Sequence, residues 1–495
     1  MNRQITRVAL VSLALLVALI VATTYWQTWA AAGLADRQDN AIKRVAQFTI
    51  KRGLIYAADG RTVLANNVVR KIDGKDLFFR RYPARSLAPH VVGYSTQSRS
   101  RAGLERSEND YLVASNKSLR TVFRTALDRL KGVTIKGNTL VTTLDAKAQA
   151  LADRLLAGQC GAAVALEPAT GRVLVMASAP TYDPNLVERH FDQIANVHAN
   201  CRPAAPLLNR ATNGLYTPGS TFKVVTAAAA LDTGRFREDS EFDDPGYCIE
   251  YGKRVYNFAD QSGPEVFGHV SLAEALQHSI NAVFCNLGKA LGPLTVLDYA
   301  KRFGFYSVPP LETPANERAP SGLYNHTRLF RPEHGYQVDP GRLAFGQERL
   351  LTTPLQMAMV TSAIGNGGLV MRPYVVERVV GPDRHTVART KPQDLGRAIK
   401  PQTAATLTSM MEAVVSGGTG TAAQIPGVRV AGKTGTAETG VSHRNTTWFI
   451  CFAPAEAPRV AVAVALENQE GTGGATAAPI AKELMQALLS ERSNS

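Results

Sequence analysis

Charge is missing from the start of this 495-residue chain: no Asp, Glu, Lys or Arg occurs between Arg7 and Asp36, a gap of 28 residues. Metal-binding spacing is missing too. The five cysteines form no C-x-x-C, and no Cys/His pattern of the zinc type accompanies them, so no metal site is expected. There is no sustained internal repeat, which excludes a solenoid, and no low-complexity stretch. No nucleic-acid-binding motif is present, so nucleic acid is not an expected partner. With 45% hydrophobic and 19% charged residues, the chain holds enough apolar material for a packed core and is not a disordered polymer.

Acidic residues are scarce in one region only. The net charge is +14, yet residues 151–495 carry 31 residues of each sign. Residues 36–150 carry 22 Lys/Arg against 10 Asp/Glu, so the basic excess belongs to the N-terminal third. An anionic lipid surface or an anionic polymer is the partner such a charge suits. The uncharged segment before it agrees. Residues 8–22 are apolar except for Ser12, and Tyr25, Trp26 and Trp29 follow where an interfacial aromatic belt would lie. A retained membrane anchor is expected over residues 1–35, with Arg3 and Arg7 on the cytoplasmic side and the remainder outside. A cleaved signal peptide ending near Ala30-Ala31-Ala32 is the alternative.

An odd number of cysteines permits two disulfides at most. Cys160, Cys285 and Cys451 have apolar neighbours and read as buried thiols, while Cys201 and Cys248 remain as a possible pair.

Residues 36–150 alternate short β-rich pieces with turns, such as Ile55-Tyr56, then Asp59-Gly60, then Val63-Leu64. A basic helix is expected over 117–130. From Gly161 the pattern becomes compact α/β. Residues 162–166 and 173–177 read as a hairpin, 222–231 as a helix closed by Gly234, and Ser271 with Glu274 as a capping box. Strands at 428–436, 447–452 and 460–466 have short connections and so pair antiparallel, ahead of a last helix at 480–489. The expected class is α/β (α+β): an N-terminal transmembrane helix, a small β-rich domain over 36–150, and a domain over 151–495 built on an antiparallel sheet flanked by helices.

Chemistry concentrates in three short segments. In Tyr216-Thr217-Pro218-Gly219-Ser220-Thr221-Phe222-Lys223, a Ser and a Lys three apart share one face at the start of a helix. A serine hydroxyl needs a base, and with no His in the motif Lys223 is the candidate. It works only as the free amine. Lowering its pKa from ~10.4 to ~7 costs about 4–5 kcal/mol, within reach of burial and a nearby cation. S-x-x-K alone is a weak signal. The second segment, His278-Ser279-Ile280-Asn281, interrupts the helix opened at Ser271; the third, Lys433-Thr434-Gly435-Thr436, lies on an expected strand. The ordered set S-x-x-K, S-x-N, K-T-G is the signature of the serine β-lactamase and penicillin-binding protein superfamily. Residues 427–434 also match the phosphate-loop pattern G-x4-G-K-T. Val428 and Val430 alternate as a strand does, and no helix follows, so a nucleotide site is not expected.

On these motifs the chain resembles the class B penicillin-binding proteins, most of all the short type called penicillin-binding protein A. Further similar blocks include Arg52-Gly53, Gly103-Leu104-Glu105, Tyr182-Asp183-Pro184-Asn185, Asn209-Arg210-Ala211 and Gly346-Gln347. Two departures are Ile280, where many relatives carry Cys, and Glu348, where Gly is usual. The resemblance implies a peptidoglycan D,D-transpeptidase that needs no metal or organic cofactor. Ser220 would attack the penultimate D-Ala of a stem peptide, with Lys223 as base and Ser279 as proton relay. Asn281 would hold Lys223 and the substrate amide. Lys433 would supply positive charge, and Thr434, Gly435 and Thr436 would bind the donor. Implied partners are peptidoglycan stem peptides, β-lactams, the cytoplasmic membrane, a membrane glycosyltransferase, and division or elongation proteins.

Alternatives are a β-lactamase, for which Glu312 is the one acidic candidate, and a non-catalytic β-lactam sensor. A bifunctional glycosyltransferase is disfavoured by the small pre-domain. His278 reads as packed, not catalytic. His443 and Arg444 sit in a polar loop, and residues 416–421 in a flexible turn.

Overall fold

The computed structural model describes residues 2–25, 48–115, 134–260, 263–439 and 444–491. The basic helix expected at 117–130, His443, and the residues Trp26, Trp29 and Ala30 to Ala32 lie outside them. Helix α1 (Asn2–Thr24) runs 23 residues, about 35 Å. Within its stretch Arg3–Thr24 an 18-residue window reaches a mean hydropathy of 2.6 and is not buried, so the helix is long and apolar enough to cross a membrane.

A six-stranded sheet follows, in the order Thr386–Arg389, Val376–Val380, Thr139–Thr142, Ile55–Tyr56, Val63–Ile72, Lys75–Arg81. Two of its strands therefore come from far beyond residue 150. Its first turn forms as the sequence predicts: Asp59 Oδ1 accepts from the N–H groups of Arg61 and Thr62, both at 2.8 Å, and Gly60 takes φ 64°. The similar blocks at Arg52 and Glu105 meet. Glu105 is fully buried and accepts from Arg52 Nε at 2.8 Å and Arg80 Nε at 2.5 Å. Burial pushes its carboxyl up, but the two guanidiniums outweigh that and hold it below the ordinary carboxylate range.

The larger domain is built on five strands: β1 (Gly161–Leu166), β2 (Val173–Ala179), β3 (Ala431–Glu438), β4 (Asn445–Ala453) and β5 (Val460–Gln469). They lie in the order β3-β4-β5-β1-β2, every pair antiparallel. Successive side chains point to opposite faces, and here both faces are apolar. Ala163, Phe449, Val462 and Val464 pack on one side with Ala481, Leu484 and Met485 of a long C-terminal helix, Gly473–Glu491. Val164, Trp448, Ile450 and Ala463 pack on the other side, in one core with Leu355, Met359 and Ile364 of the helix Pro354–Gly365. The sheet is thus a filled sandwich of helices, with β3 at its edge.

The last helix begins at Gly473, seven residues before the expected start, and runs through Pro479. Two glycines and a proline read as breakers in isolation. Packing overrides them: a Cβ on Gly473 would sit 2.2 Å from Trp448 O and 2.4 Å from Gly435 O. The cysteine reading needs correction. Cys201 and Cys248 are not partners; Cys160 joins Cys201, Cys248 joins Cys285, and Cys451 alone is a buried free thiol. Cys285 looked like core because it is core, but the strand Tyr247–Glu250 packs on its helix and brings Cys248 within a Cα separation of 6.3 Å.

Candidate active site

The helix carrying the first motif, α2 (Lys223–Asp232), is preceded by a 3-10 turn, Gly219–Phe222. In such a turn residues i and i+3 eclipse, which lines Ser220 up with Lys223. The turn is clamped from several sides. Gly219, at φ 53°, lies so close to β3 that a Cβ would stand 3.1 Å from Thr436 O, and a Cβ on Gly346 would strike Gly219 O at 2.3 Å. Trp448 Nε1 donates to Thr217 O at 3.0 Å, and its ring meets Tyr216 edge-on at 6.0 Å. Tyr216 in turn donates to Glu467 Oε1 at 2.7 Å, which also accepts from Arg210 Nε at 2.7 Å. A serine on a short turn is thus held by contacts from distant parts of the chain.

Lys223 is fully buried. Its Nζ donates to Ser279 O at 2.5 Å and to Asn281 Oδ1 at 2.8 Å, with Ser279 Oγ at 3.3 Å. The second motif is shaped to present these atoms. The capping box at Ser271 opens α3 (Leu272–Gln277), His278 ends it, and Asn281 starts α4 (Asn281–Leu291). Ser279 takes φ 61° between the two helices. For a non-glycine residue that conformation costs roughly 1–2 kcal/mol, and it persists because both helices fix it. Asn281 is oriented from behind, since its Nδ2 donates to Tyr256 O at 3.1 Å.

Burial lowers the Lys223 pKa well below that of an ordinary lysine, and the positive charge of Lys433 lowers it further. Burial alone brings Lys433 to about 7. Two cations at close quarters in a dry site do not both stay charged near neutrality, so Lys223 is biased toward the free amine. Lys433 Nζ donates to Thr434 O at 3.1 Å, Thr434 Oγ1 shares a 2.6 Å hydrogen bond with Thr419 Oγ1, and Thr436 Oγ1 accepts from Gly473 N at 3.2 Å. Ser220, Ser279, Asn281, Thr434, Gly435 and Thr436 all line one cleft of about 800 Å³. All three sequence motifs therefore converge, and the phosphate-loop pattern is dissolved: Lys433 and Thr434 lie inside β3, not at a helix start.

Several supporting residues escaped the sequence reading. Trp448 carried a signal, being one of only three tryptophans with an N–H to satisfy. Thr419 lies in the turn expected at 416–421, where Gly420 N donates to Val414 O at 2.9 Å. His278 lines the cleft with its ring against Phe267 at 5.2 Å, and Arg444 pairs with Glu470 at 3.1 Å. Glu312 is outside the cleft lining. It is partly buried, accepts from Val375 N at 2.8 Å, and lies 3.7 Å from Arg372.

The fold and the cleft define a serine-type acyltransferase. Residues 161–486 match the penicillin binding protein transpeptidase domain, and residues 52–140 match the penicillin binding protein A dimerisation domain. The chain belongs to the penicillin-binding protein transpeptidases. It is 37% identical to the peptidoglycan D,D-transpeptidase PbpA of Mycolicibacterium smegmatis over the full length of both chains. It is 35% identical to PbpA of Mycobacterium tuberculosis over 99% of each. Among solved structures, the ceftriaxone acyl-enzyme of penicillin-binding protein A from M. tuberculosis superposes with a TM-score of 0.79 at 34% identity, covering 90% of this chain and 100% of that one. The imipenem acyl-enzyme of the same protein gives 0.78 over the same shares.

Proposed function

We propose that this chain cross-links peptidoglycan by acyl transfer through Ser220. The observation that carries this reading is the buried Lys223 amine held by Ser279 and Asn281, two residues that line the same cleft as Ser220. Lys223, as free amine, takes the Ser220 proton while Oγ attacks the carbonyl of the penultimate D-Ala. The backbone N–H groups of Ser220 and Thr436 hold the resulting oxyanion. When the intermediate collapses, the Lys223 proton passes through Ser279 to the departing D-Ala amine. The acyl-enzyme ester is then attacked by an amine of a neighbouring stem peptide. Lys223 removes that amine's proton, and Ser220 recovers its own as the new amide forms. Lys433, Thr434 and Thr436 bind the donor carboxylate, and Gly435 lets the peptide lie close along the open edge of β3. A β-lactam enters by the same attack on its ring carbonyl, but its leaving amine stays tethered.

In this reading α1 is a retained anchor with Arg3 and Arg7 at the cytoplasmic face, and residues 36–150 form a basic non-catalytic unit before the transpeptidase domain at 151–495. The excess positive charge of that unit suits contact with anionic lipid and with membrane proteins that polymerise the glycan during division or elongation. Fluorescent penicillin is the direct test. The label should map to the peptide containing Ser220 and disappear in Ser220→Ala; a label mapped elsewhere overturns the assignment.

A further inference from the structure

Strand β3 points alternate side chains to the same face, and on the cleft side these are Thr434, Thr436 and Glu438, all three lining the cleft. The first two flank Lys433, which is buried beneath that end of the cleft. Glu438 lies two residues further along, about 7 Å beyond Thr436 at the ordinary rise of a strand. It is exposed and makes no ion pair among the described residues, although Arg254 and Arg342 also line the cleft. Both cations are engaged elsewhere: Arg254 stands 4.4 Å over the Tyr247 ring, and Arg342 is 3.4 Å from Asp339. Glu265 is the other carboxylate lining the cleft, and it belongs to the facing wall, where its N–H and C=O tie it to Phe258 and Asn257. The cleft face of β3 therefore runs from two threonine hydroxyls over the buried Lys433 to the exposed carboxylate of Glu438.

A donor stem peptide has the matching polarity. Its C-terminal carboxylate is anionic. Because cross-linking joins like peptides, the donor also carries the primary amine that serves elsewhere as acceptor, and that amine is an ammonium at neutral pH. We propose that Glu438 is a specificity residue that reads the ammonium on the donor stem peptide. The inference rests on the donor reading of the cleft given above. With the carboxylate at Thr434 and Thr436, above the buried Lys433, and the scissile carbonyl at Ser220, the rest of the peptide runs along β3 toward Glu438. A carboxylate there favours a free amine over an acylated one, and it plays no part in the bond-making steps.

The test uses the full-length protein in detergent and two D-Ala-D-Ala stem peptides, one with its side-chain amine free and one with it acetylated. D-Ala release gives kcat/KM for each. The wild type should favour the free amine by about fivefold, the size of one partly exposed ion pair. Glu438→Gln should lose that preference by falling on the free-amine peptide alone, and Glu438→Lys should invert it. Penicillin labelling of Ser220 should stay within about twofold in both variants, which shows that they fold. A preference kept intact in Glu438→Gln overturns the proposal, as does an equal fall on both peptides. If the wild type labels with penicillin yet releases D-Ala from neither peptide, the donor reading itself fails.

Discussion

The Lys223 ammonium nitrogen and the Asn281 amide oxygen lie 2.8 Å apart, joining the first residue of one buried helix to the first residue of another. A neutral amine has two N–H donors and one lone pair. Ser279 O and Asn281 Oδ1 absorb the donors, which leaves the lone pair for a hydroxyl proton. In the proposed mechanism the asparagine would thus aim the base as well as bind it.

This arrangement gives acylation a defined pH profile. In the proposed mechanism Lys223 acts as the neutral amine, and its pKa is depressed by burial and by Lys433, so kcat/KM should fall as pH drops through the range of the pair. In the same mechanism Lys433 acts through its charge, and burial brings it to about 7, so loss of that charge is the expected alkaline limb. A bell-shaped profile is expected from stopped-flow acylation with a carboxylate-bearing penicillin. Lys433→Arg should carry the alkaline limb upward, because a guanidinium does not titrate there. Lys223→Ala should cost about 10²–10⁴ in acylation rate, the contribution of a positioned base. A flat profile would remove Lys223 from that role.

Trp448 should matter without touching substrate. Trp448→Phe keeps the ring against Tyr216 but leaves Thr217 O without its donor, costing about 1–3 kcal/mol. We expect a lower melting temperature together with slower penicillin acylation, since the Ser220 turn loses a clamp. Loss of stability at unchanged acylation would confine Trp448 to a structural role.

Deacylation separates this enzyme from a β-lactamase. Glu312 is held against Val375 and Arg372, outside the cleft lining, so it is not expected to activate water on the Ser220 ester. The penicilloyl-enzyme should persist for minutes or longer, a barrier above about 20 kcal/mol. Glu312→Gln should leave its lifetime unchanged by mass spectrometry. Turnover of penicillin several times per second, lost in that variant, would show a lactamase.

In the N-terminal unit, Glu105→Gln leaves Arg52 and Arg80 buried without their counter-charge. Breaking such a group typically costs about 3–5 kcal/mol. Because the Glu105 pKa is held below its unfolded value, its stabilisation is complete above the ordinary carboxylate range and is lost as pH falls through the depressed value. Thermal melts should therefore show a large wild-type advantage at pH 7 that shrinks in strong acid. Equal melting temperatures at pH 7 would show that the cluster stabilises nothing.

By itself the sequence determined whatever depends on near neighbours: the apolar helix α1, the short apolar runs that make β1, β4 and β5 core strands, the capping box at Ser271, and the three motifs in order. Strand period and helix caps are read over a few residues, so one chain suffices to see them. Tertiary structure alone decided what distant segments do to one another. It placed residues 376–389 in the first sheet and paired Cys248 with Cys285. It also carried the last helix back through Pro479 to Gly473, and set the Trp448 indole under Thr217. The depressed Lys223 pKa belongs to the same class. It comes from burial and from a lysine 210 residues away, and neither the dielectric of a site nor a distant charge is written in the local pattern around Ser220.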